Sequence, residues 1–464
     1  MASTSIKQEA PANPRGRVIT ASLIGTTIEF YDFYAYATAA VLVFPTLFFP
    51  SDNDLASTLA SFVVYGAAMI ARPVGAVFFG HFGDRFGRKA TLIGSLLTMG
   101  IATFLIGCLP TFESVGVFAA VLLVILRLAQ GFALGGEWSG AALVATENAP
   151  TGKRALYGTF PQLGAPIGFI IANTLFLLIN SALPADSSGA SEAFLSWGWR
   201  VPFWFSAVMV VVGLWVRLKL VESETFQKAE RKGAIKKFPL GETIRRYWKQ
   251  LILGTFIMLA TYVLFYIMSA FTLKYGTTPA TAPAGVDAST FTSGLGFGYS
   301  HFVLMQIIGV VFFGLCTLLS GPLADVVGRR RLLLWVTVFI IVFGLLFVLF
   351  FRPQDDPQFT GALVQAGLIF GFLLMGMTFG PMGALLPELF PTNVRYTGSA
   401  VSYNVASVLG AALAPIVALE LWKIADSSTW IVGLYLAGSG VLTLIALVLS
   451  KETKDIVLDE DAGS

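Results

Sequence analysis

Apolar runs recur along the whole chain, each close to the roughly 20 residues that a helix needs to span a bilayer. Twelve are read, at 17–43, 57–79, 91–110, 115–140, 156–181, 198–218, 248–273, 297–322, 333–351, 361–386, 395–420 and 428–450. Short polar segments separate them, and the longest polar interruption falls after the sixth. The pattern predicts an all-α integral membrane protein with twelve transmembrane helices in two six-helix halves. Its divisions are a tail 1–16, an N-terminal half 17–220, a central loop 221–247, a C-terminal half 248–450 and a tail 451–464.

Composition sharpens this. Of the 464 residues, 56% are hydrophobic and 12% charged, with a mean hydropathy of +0.76; a soluble protein carries about twice that share of charge. The placement of the 30 Lys and Arg matters more than the net charge of +3. Starting from a cytoplasmic N-terminus, 24 fall in cytoplasmic segments and only Arg200, Lys274, Arg352 and Lys423 on the other side. Arg72 and Arg127 lie inside helices. This asymmetry predicts that both termini are cytoplasmic. The first apolar segment carries two acids and is too long for a cleavable signal. Cys108 and Cys316 fall in predicted helices and His81 and His301 are the only histidines, so neither a disulfide nor a metal framework is expected.

The halves repeat each other. Gly80-His-Phe-Gly-Asp84-Arg-Phe-Gly87-Arg88-Lys89 follows helix 2, and Gly321-Pro-Leu-Ala-Asp325-Val-Val-Gly328-Arg329-Arg330 follows helix 8, 241 positions on. Glu147-x-x-Pro150-Thr151-x-x-Arg154 after helix 4 repeats as Glu388-x-x-Pro391-Thr392-x-x-Arg395 at the same offset. Both copies face one side, so the halves share an orientation about an axis along the membrane normal. An Asp at such a helix end can accept hydrogen bonds from the N–H groups that open a neighbouring helix.

Ionisable groups within a membrane are costly and usually functional. Glu29 and Asp32, three apart on helix 1, share a face. Glu29 lies about 12 residues, or roughly 18 Å, from the cytoplasmic start. Arg127, about 13 residues before the predicted cytoplasmic end of helix 4, lies near that depth. An acid and an arginine at one level form a pair that protonation breaks. Glu29 or Asp32 is therefore expected to carry a proton, with Arg127 as partner to the acid or to a substrate carboxylate. Arg72, in the last third of helix 2, is as readily structural, and Glu137 is assigned to the cytoplasmic charge network. Substrate in a two-half bundle sits near the midplane, where the candidates are Tyr31, Tyr36, Gln130, Gln162, Tyr262, Tyr266, Gln306, Tyr403 and Asn404. Any one of these alone serves helix packing more often than ligand contact.

The G-x-x-x-D-x-x-G-R-[KR] loops resemble the signature of the major facilitator superfamily. EFYDFYAY (29–36), ARPVGAVFFGHFGDRFGRKATL (71–92), RLAQGFALGGEWSGA (127–141) and SWGWRVPFW (196–204) look like its metabolite:proton symporter family, which includes shikimate, 2-oxoglutarate, citrate and proline or betaine carriers. The resemblance implies a cytoplasmic gate in which Asp84 latches onto helix 11. Arg88 and Arg154 would pair with Glu147, and Arg329 and Arg395 with Glu388, with a weaker C-terminal copy because Val326 stands where Arg85 does. Gly80, Gly87 and Gly328 would allow the tight turns, and Arg127-x-x-Gln130-Gly131 resembles a helix-4 motif credited with proton transfer. The expectation is a proton-coupled symporter importing a small metabolite, an organic acid before others, working as a monomer in a bacterial-type plasma membrane. A facilitator, an exporter and a zwitterion symporter remain alternatives. The 14-residue tail lacks the heptads of osmosensing members, and Gly164-Ala-Pro166-Ile-Gly168 departs from the drug-antiporter helix-5 pattern. No clustered nucleophile or acid/base set suggests an enzyme. No phosphate-binding loop precedes a Lys-Ser or Lys-Thr pair, so an ion gradient is the expected energy source, without cofactor or nucleic acid.

Overall fold

A computed structural model of the chain describes residues 15–51, 53–86, 88–135, 137–183, 191–218, 239–283, 291–391 and 394–456; the side chains of 80–92 and a few single positions lie outside the description. All regular structure among the described residues is helical. The twelve long helices are α1 Arg15–Leu42, α2 Asp54–Phe86 and α3 Arg88–Ile106, then α4 Val117–Glu147, α5 Arg154–Ala182, α6 Phe194–Val216, α7 Trp248–Thr277, α8 Tyr299–Val327, α9 Arg329–Phe350, α10 Pro357–Glu388, α11 Arg395–Ile424 and α12 Trp430–Leu449. Among the described residues ten helices are long and apolar enough to cross a membrane on those grounds alone. The other two are α1, which carries Glu29 and Asp32, and α3, whose apolar part Ile93–Ile106 is shorter. Exposed apolar side chains such as Leu319, Trp335 and Leu449 stud the periphery, as a surface solvated by lipid requires.

Two helix ends differ from expectation. α4 continues to Glu147 instead of stopping near 140, and α3 ends at Ile106, leaving Cys108 exposed in the turn that follows. Hydropathy marks where a helix leaves the hydrocarbon, whereas helix–helix packing sets where it ends. Here the last turns of α4 pack on α5 and α11.

The internal repeat has a backbone counterpart. A Cβ added to Gly135 on α4 would meet the carbonyl oxygen of Arg72 on α2 at 2.1 Å, and one added to Gly376 on α10 would meet that of Phe313 on α8 at 2.4 Å. Both glycine and contact are displaced by 241 positions. Only a residue without a side chain lets the two helices approach so closely. The halves meet through α2 against α11 and α5 against α8 and α10, with α1 and α7 inward. Both α7 and α11 contain a π-helical turn, Ile267–Phe271 and Ser407–Ala412. Of the expected central loop, only its last part is described, as a short helix Pro239–Arg246.

The end bearing the α2–α3 and α8–α9 loops is termed inner here, following the charge distribution. Contacts join the halves there and at the outer end, where Lys274 of α7 pairs with Asp54 of α2 and Asn180 of α5 donates to Ser300 of α8 at 3.3 Å.

Candidate transport site

Four ionisable side chains are buried at mid-depth in the N-terminal half: Glu29 and Asp32 of α1, Arg72 of α2 and Arg127 of α4. Glu29 does not take the expected partner. Its Oε1 lies 3.4 Å from Nη2 of Arg72, whose guanidinium sits 4.2 Å from the Phe33 ring centroid. Arg127 donates instead to Gln130 Oε1 at 2.6 Å and to the Tyr65 carbonyl at 3.2 Å, and stacks over Tyr36 at 3.8 Å. Nor do the two acids serve one face. Asp32 turns into its own half, accepting from Thr103 of α3 at 2.8 Å and Ser206 of α6 at 2.7 Å. Gln130 Nε2 donates to Thr103 Oγ1 at 2.5 Å, so Asp32 and Arg127 are joined through two neutral side chains. Arg72 belongs with these groups and not at the inner end, because α2 runs on to Phe86, beyond the apolar run that ended near 79.

The C-terminal half answers with neutral aromatics. Tyr262 and Tyr266 of α7 stack at 6.5 Å between centroids. Tyr65 of α2 donates to the Tyr266 hydroxyl at 2.8 Å across the boundary. Tyr403 of α11 lies face to face with Trp138 of α4 at 3.8 Å. Arg72 lies within electrostatic reach of Tyr262, Tyr266 and Tyr403, and Tyr34 within reach of Tyr266, Tyr403 and Glu29. Tyr34, Tyr65 and Trp138 were not among the sequence candidates; only their α1, α2 and α4 positions at matching depth could have suggested them.

Several candidates hold helices together and do not line this boundary. Tyr31 donates to the Pro202 carbonyl of α6 at 2.6 Å, and Tyr36 is buried against Phe44. Gln306 stays within its half, its Nε2 donating to the Met268 and Ser269 carbonyls at 3.1 and 2.8 Å. There it satisfies groups that the π turn of α7 frees from regular pairing. Gln162 and Asn404 do cross the boundary, but as struts: Gln162 accepts from Trp138 at 2.7 Å and donates to the Phe379 carbonyl at 2.9 Å, and Asn404 donates to the Gly135 carbonyl at 2.8 Å. His301 is exposed in the first turn of α8, against Phe297. Glu137 is buried at the start of the inner part of α4.

At the inner end, the C-terminal loop copy is seen in full. Asp325 accepts from the backbone N–H groups of Ala155 and Leu156, each at 3.0 Å, capping α5 of the other half. Gly328 adopts φ +108°, a conformation suited to glycine, and lets the chain turn into α9. Arg329 bridges Asp325 at 3.1 Å and Glu388 at 3.3 Å. Arg154 departs from expectation: it lies 3.9 Å from Glu388 of the opposite half and donates to the Ile456 carbonyl at 2.7 Å, while Glu147 is exposed. Arg395 donates Nε to the Phe390 carbonyl at 3.2 Å. Gly80, Asp84, Gly87 and Arg88 fall where side chains lie outside the described residues. The tail also contributes: Glu452 accepts from the N–H groups of Arg329 and Arg330 at 2.9 and 3.1 Å, and Thr453 donates to Glu388 at 2.6 Å.

A twelve-helix bundle whose inner loop motif is repeated in sequence, with the described copy capping a helix of the opposite half and charge buried at mid-depth, is the architecture of an alternating-access carrier. The description of the Major Facilitator Superfamily matches residues 23–415, and the chain belongs to that superfamily. Its relatives are metabolite carriers. The inner membrane metabolite transport protein YhjE of Escherichia coli K12 is 51% identical over 97% of each chain. The shikimate transporter of that organism is 35% identical over 94% of this chain and 95% of its own, and its proline/betaine transporter 30% identical over 94% and 83%. Among solved structures, the proton:xylose symporter XylE bound to 6-bromo-6-deoxy-D-glucose superposes with a TM-score of 0.70 over 96% of this chain and 97% of its own, at 18% identity, a likeness of fold. The protein is a multi-pass membrane transporter of metabolites, not an enzyme.

Proposed function

We propose that this carrier imports a small organic acid together with a proton, by alternating access, as a monomer in the cell membrane with both termini cytoplasmic. The observation that carries the reading is the burial of two carboxylates and two guanidiniums at mid-depth in one half, with the Glu29–Arg72 pair toward neutral tyrosines of the other. Four such groups are costly to bury for structure alone, since apolar side chains of similar volume hold helices at least as well. With two acids set against two arginines, a carboxylate that takes over an arginine leaves an acid free to accept a proton without a change of net charge. The arginines favour a carboxylate over a neutral solute. Both the shikimate and the proline/betaine transporters among the relatives act on compounds that carry one. The Asp325 cap, the Arg329–Glu388–Arg154 cluster and the tail form the inner gate. By the repeat, Asp84 caps α11 in the same way; both caps release when the inner side opens.

The test is uptake into proteoliposomes of a panel of labelled acids and zwitterions, with and without an inside-alkaline pH gradient. Gradient-dependent accumulation of a carboxylate is expected. Gradient-independent equilibration would reduce the protein to a facilitator, and accumulation of zwitterions alone would replace the substrate class.

A further inference from the structure

Proton coupling leaves open which acid takes the proton, which arginine meets the substrate, and in what stoichiometry. The four groups are not placed alike. Asp32 and Arg127 lie within the N-terminal half, tied to α3, α4 and α6 through Thr103, Ser206 and Gln130. Both Asp32 oxygens accept hydroxyl hydrogen bonds. Glu29 and Arg72 lie at the boundary, within electrostatic reach of Tyr266 and Tyr403 of the opposite half. A solute bound between the halves meets Arg72 before Arg127.

The pair itself is poorly made. One contact of 3.4 Å joins it, against about 2.7–2.9 Å for a strong charge-assisted hydrogen bond. Nε of Arg72 is buried and has no hydrogen-bond acceptor among the described residues. The Arg72 side chain is only 4% exposed, so bulk solvent does not reach it. A guanidinium presents two parallel N–H groups to a carboxylate, and Glu29, fixed on α1, uses one Nη. A free carboxylate can turn to meet the fork squarely. Among the described residues, Arg72 on α2, Tyr34 on its own helix, Tyr266 on α7 and Tyr403 on α11 lie around Glu29; Asp32 is one turn along α1, and α4, which carries Arg127 and Glu137, packs on that helix. Arg72 is a cation in contact with Glu29.

From this geometry we propose that Arg72 is the anchor for the substrate carboxylate and that Glu29 is its internal stand-in, protonated when the substrate displaces it. The inference rests on the reading of the protein as a proton-coupled organic acid carrier. Charge fixes the stoichiometry. Before binding, Glu29⁻ and Arg72⁺ sum to zero; afterwards, neutral Glu29 and the Arg72⁺–carboxylate pair also sum to zero. One proton enters with each monocarboxylate, and the step moves no net charge. The tyrosines and phenylalanines around the pair suit a compact acid with an apolar or ring-shaped body, and their hydroxyls suit one that also carries hydroxyl groups.

The experiment uses the full chain in proteoliposomes with shikimate, benzoate and lactate as probes, together with proton uptake on binding in weakly buffered detergent solution. Wild type should accumulate at least one probe under a pH gradient, take up one proton per molecule bound, and ignore a potential set by potassium and valinomycin. Glu29→Gln should still bind that probe and exchange it across the membrane, but without proton uptake, with affinity independent of pH and with no accumulation. Arg72→Gln should weaken binding at least tenfold; Arg72→Lys, which keeps the charge and so guards against misfolding, should weaken it severalfold through loss of the fork. Proton uptake surviving in Glu29→Gln, or undiminished affinity in both Arg72 variants, would overturn the assignment while leaving coupled transport intact. A wild type that accumulates none of the probes under a gradient would overturn the parent reading as well.

Discussion

The two halves share a backbone plan but not a chemistry. α2 and α8 correspond at an offset of 241, as do α4 and α10. Where α2 carries Arg72, α8 carries Phe313, and where α4 carries Arg127, α10 carries Leu368; all four are buried. α7, the counterpart of α1, contains no acid between Trp248 and Thr277. Duplication therefore preserved what two-fold geometry needs, the glycine crossings and the inner loops, and left the mid-depth charge on one side only. A charged half facing a neutral one costs a single set of buried ions, and the aromatic partner can slide past it during rocking without breaking a second set.

Making the halves alike should be most damaging when charge is added to the neutral one. Phe313→Arg would place in α8 the residue that α2 holds at the equivalent position, with no acid on α7 to meet it. An arginine at the centre of a membrane helix costs about 2.5–3.5 kcal/mol on insertion scales. The variant is expected to lose most of its folded population, read as the monodisperse fraction on size-exclusion chromatography. Restoring an acid on α7 with Ala270→Glu should recover part of that fraction. Normal folding of the single variant would mean that the C-terminal half is far wetter than its packing implies.

The converse change, Arg127→Leu, gives α4 the residue of α10. It strips Gln130 Oε1 of its arginine donor, a loss on the order of 1–3 kcal/mol when buried, removes a second bond to the Tyr65 carbonyl, and removes the cation that balances Asp32. Gradient-driven uptake should fall at least tenfold. Thr103→Val, which only cuts the link between Gln130 and Asp32, should cost less in the same assay.

How far these features could be read from sequence follows the same division. The twelve helices, the repeat and the superfamily were legible because apolar runs and loop motifs are local signals. Glu29, Asp32 and Arg127 were legible as intramembrane ions. Their partners were not. Depth counted from the ends of apolar runs placed Glu29 level with Arg127, but rotation about α1 decides which neighbour each acid meets, and the helical extension of α2 beyond the bilayer moved Arg72 to the centre. The struts Gln162 and Asn404 passed for ligand contacts because a polar residue at mid-depth looks the same whether it binds a backbone carbonyl or a solute. Glu452 went unnoticed because its role depends on where the chain returns after α12, and no local pattern records that.

The latches should behave alike in both halves, in contrast to the charges. Asp325→Ala removes a cap worth about 1–2 kcal/mol. It should shift the carrier toward the inward-open state by roughly 5–30-fold, read as faster maleimide labelling of Thr159→Cys in a background lacking Cys108 and Cys316. If the repeat carries the gate as it carries the glycines, Asp84→Ala should give a shift of similar size. A large disparity would show that the inner gate is as one-sided as the ionisable core.

The smallest effect belongs to the outer end, where Lys274 and Asp54 pair across the halves. The Lys274 side chain is 10% exposed but that of Asp54 is 73% exposed, so solvent and salt screen the attraction and the pair contributes at most about 1 kcal/mol. Breaking it with Asp54→Asn should favour outward opening by no more than about fivefold, and raising the salt should produce much of that shift in wild type. The decisive variant is the exchange Asp54→Lys with Lys274→Asp. If the pair acts only through its charge, the exchange restores wild-type labelling of an outer-end cysteine and its salt dependence. If it does not, Lys274 matters for how it packs within α7, and the closure of the outer end rests on the neutral contact between Tyr65 and Tyr266 and on the strut between Asn180 and Ser300.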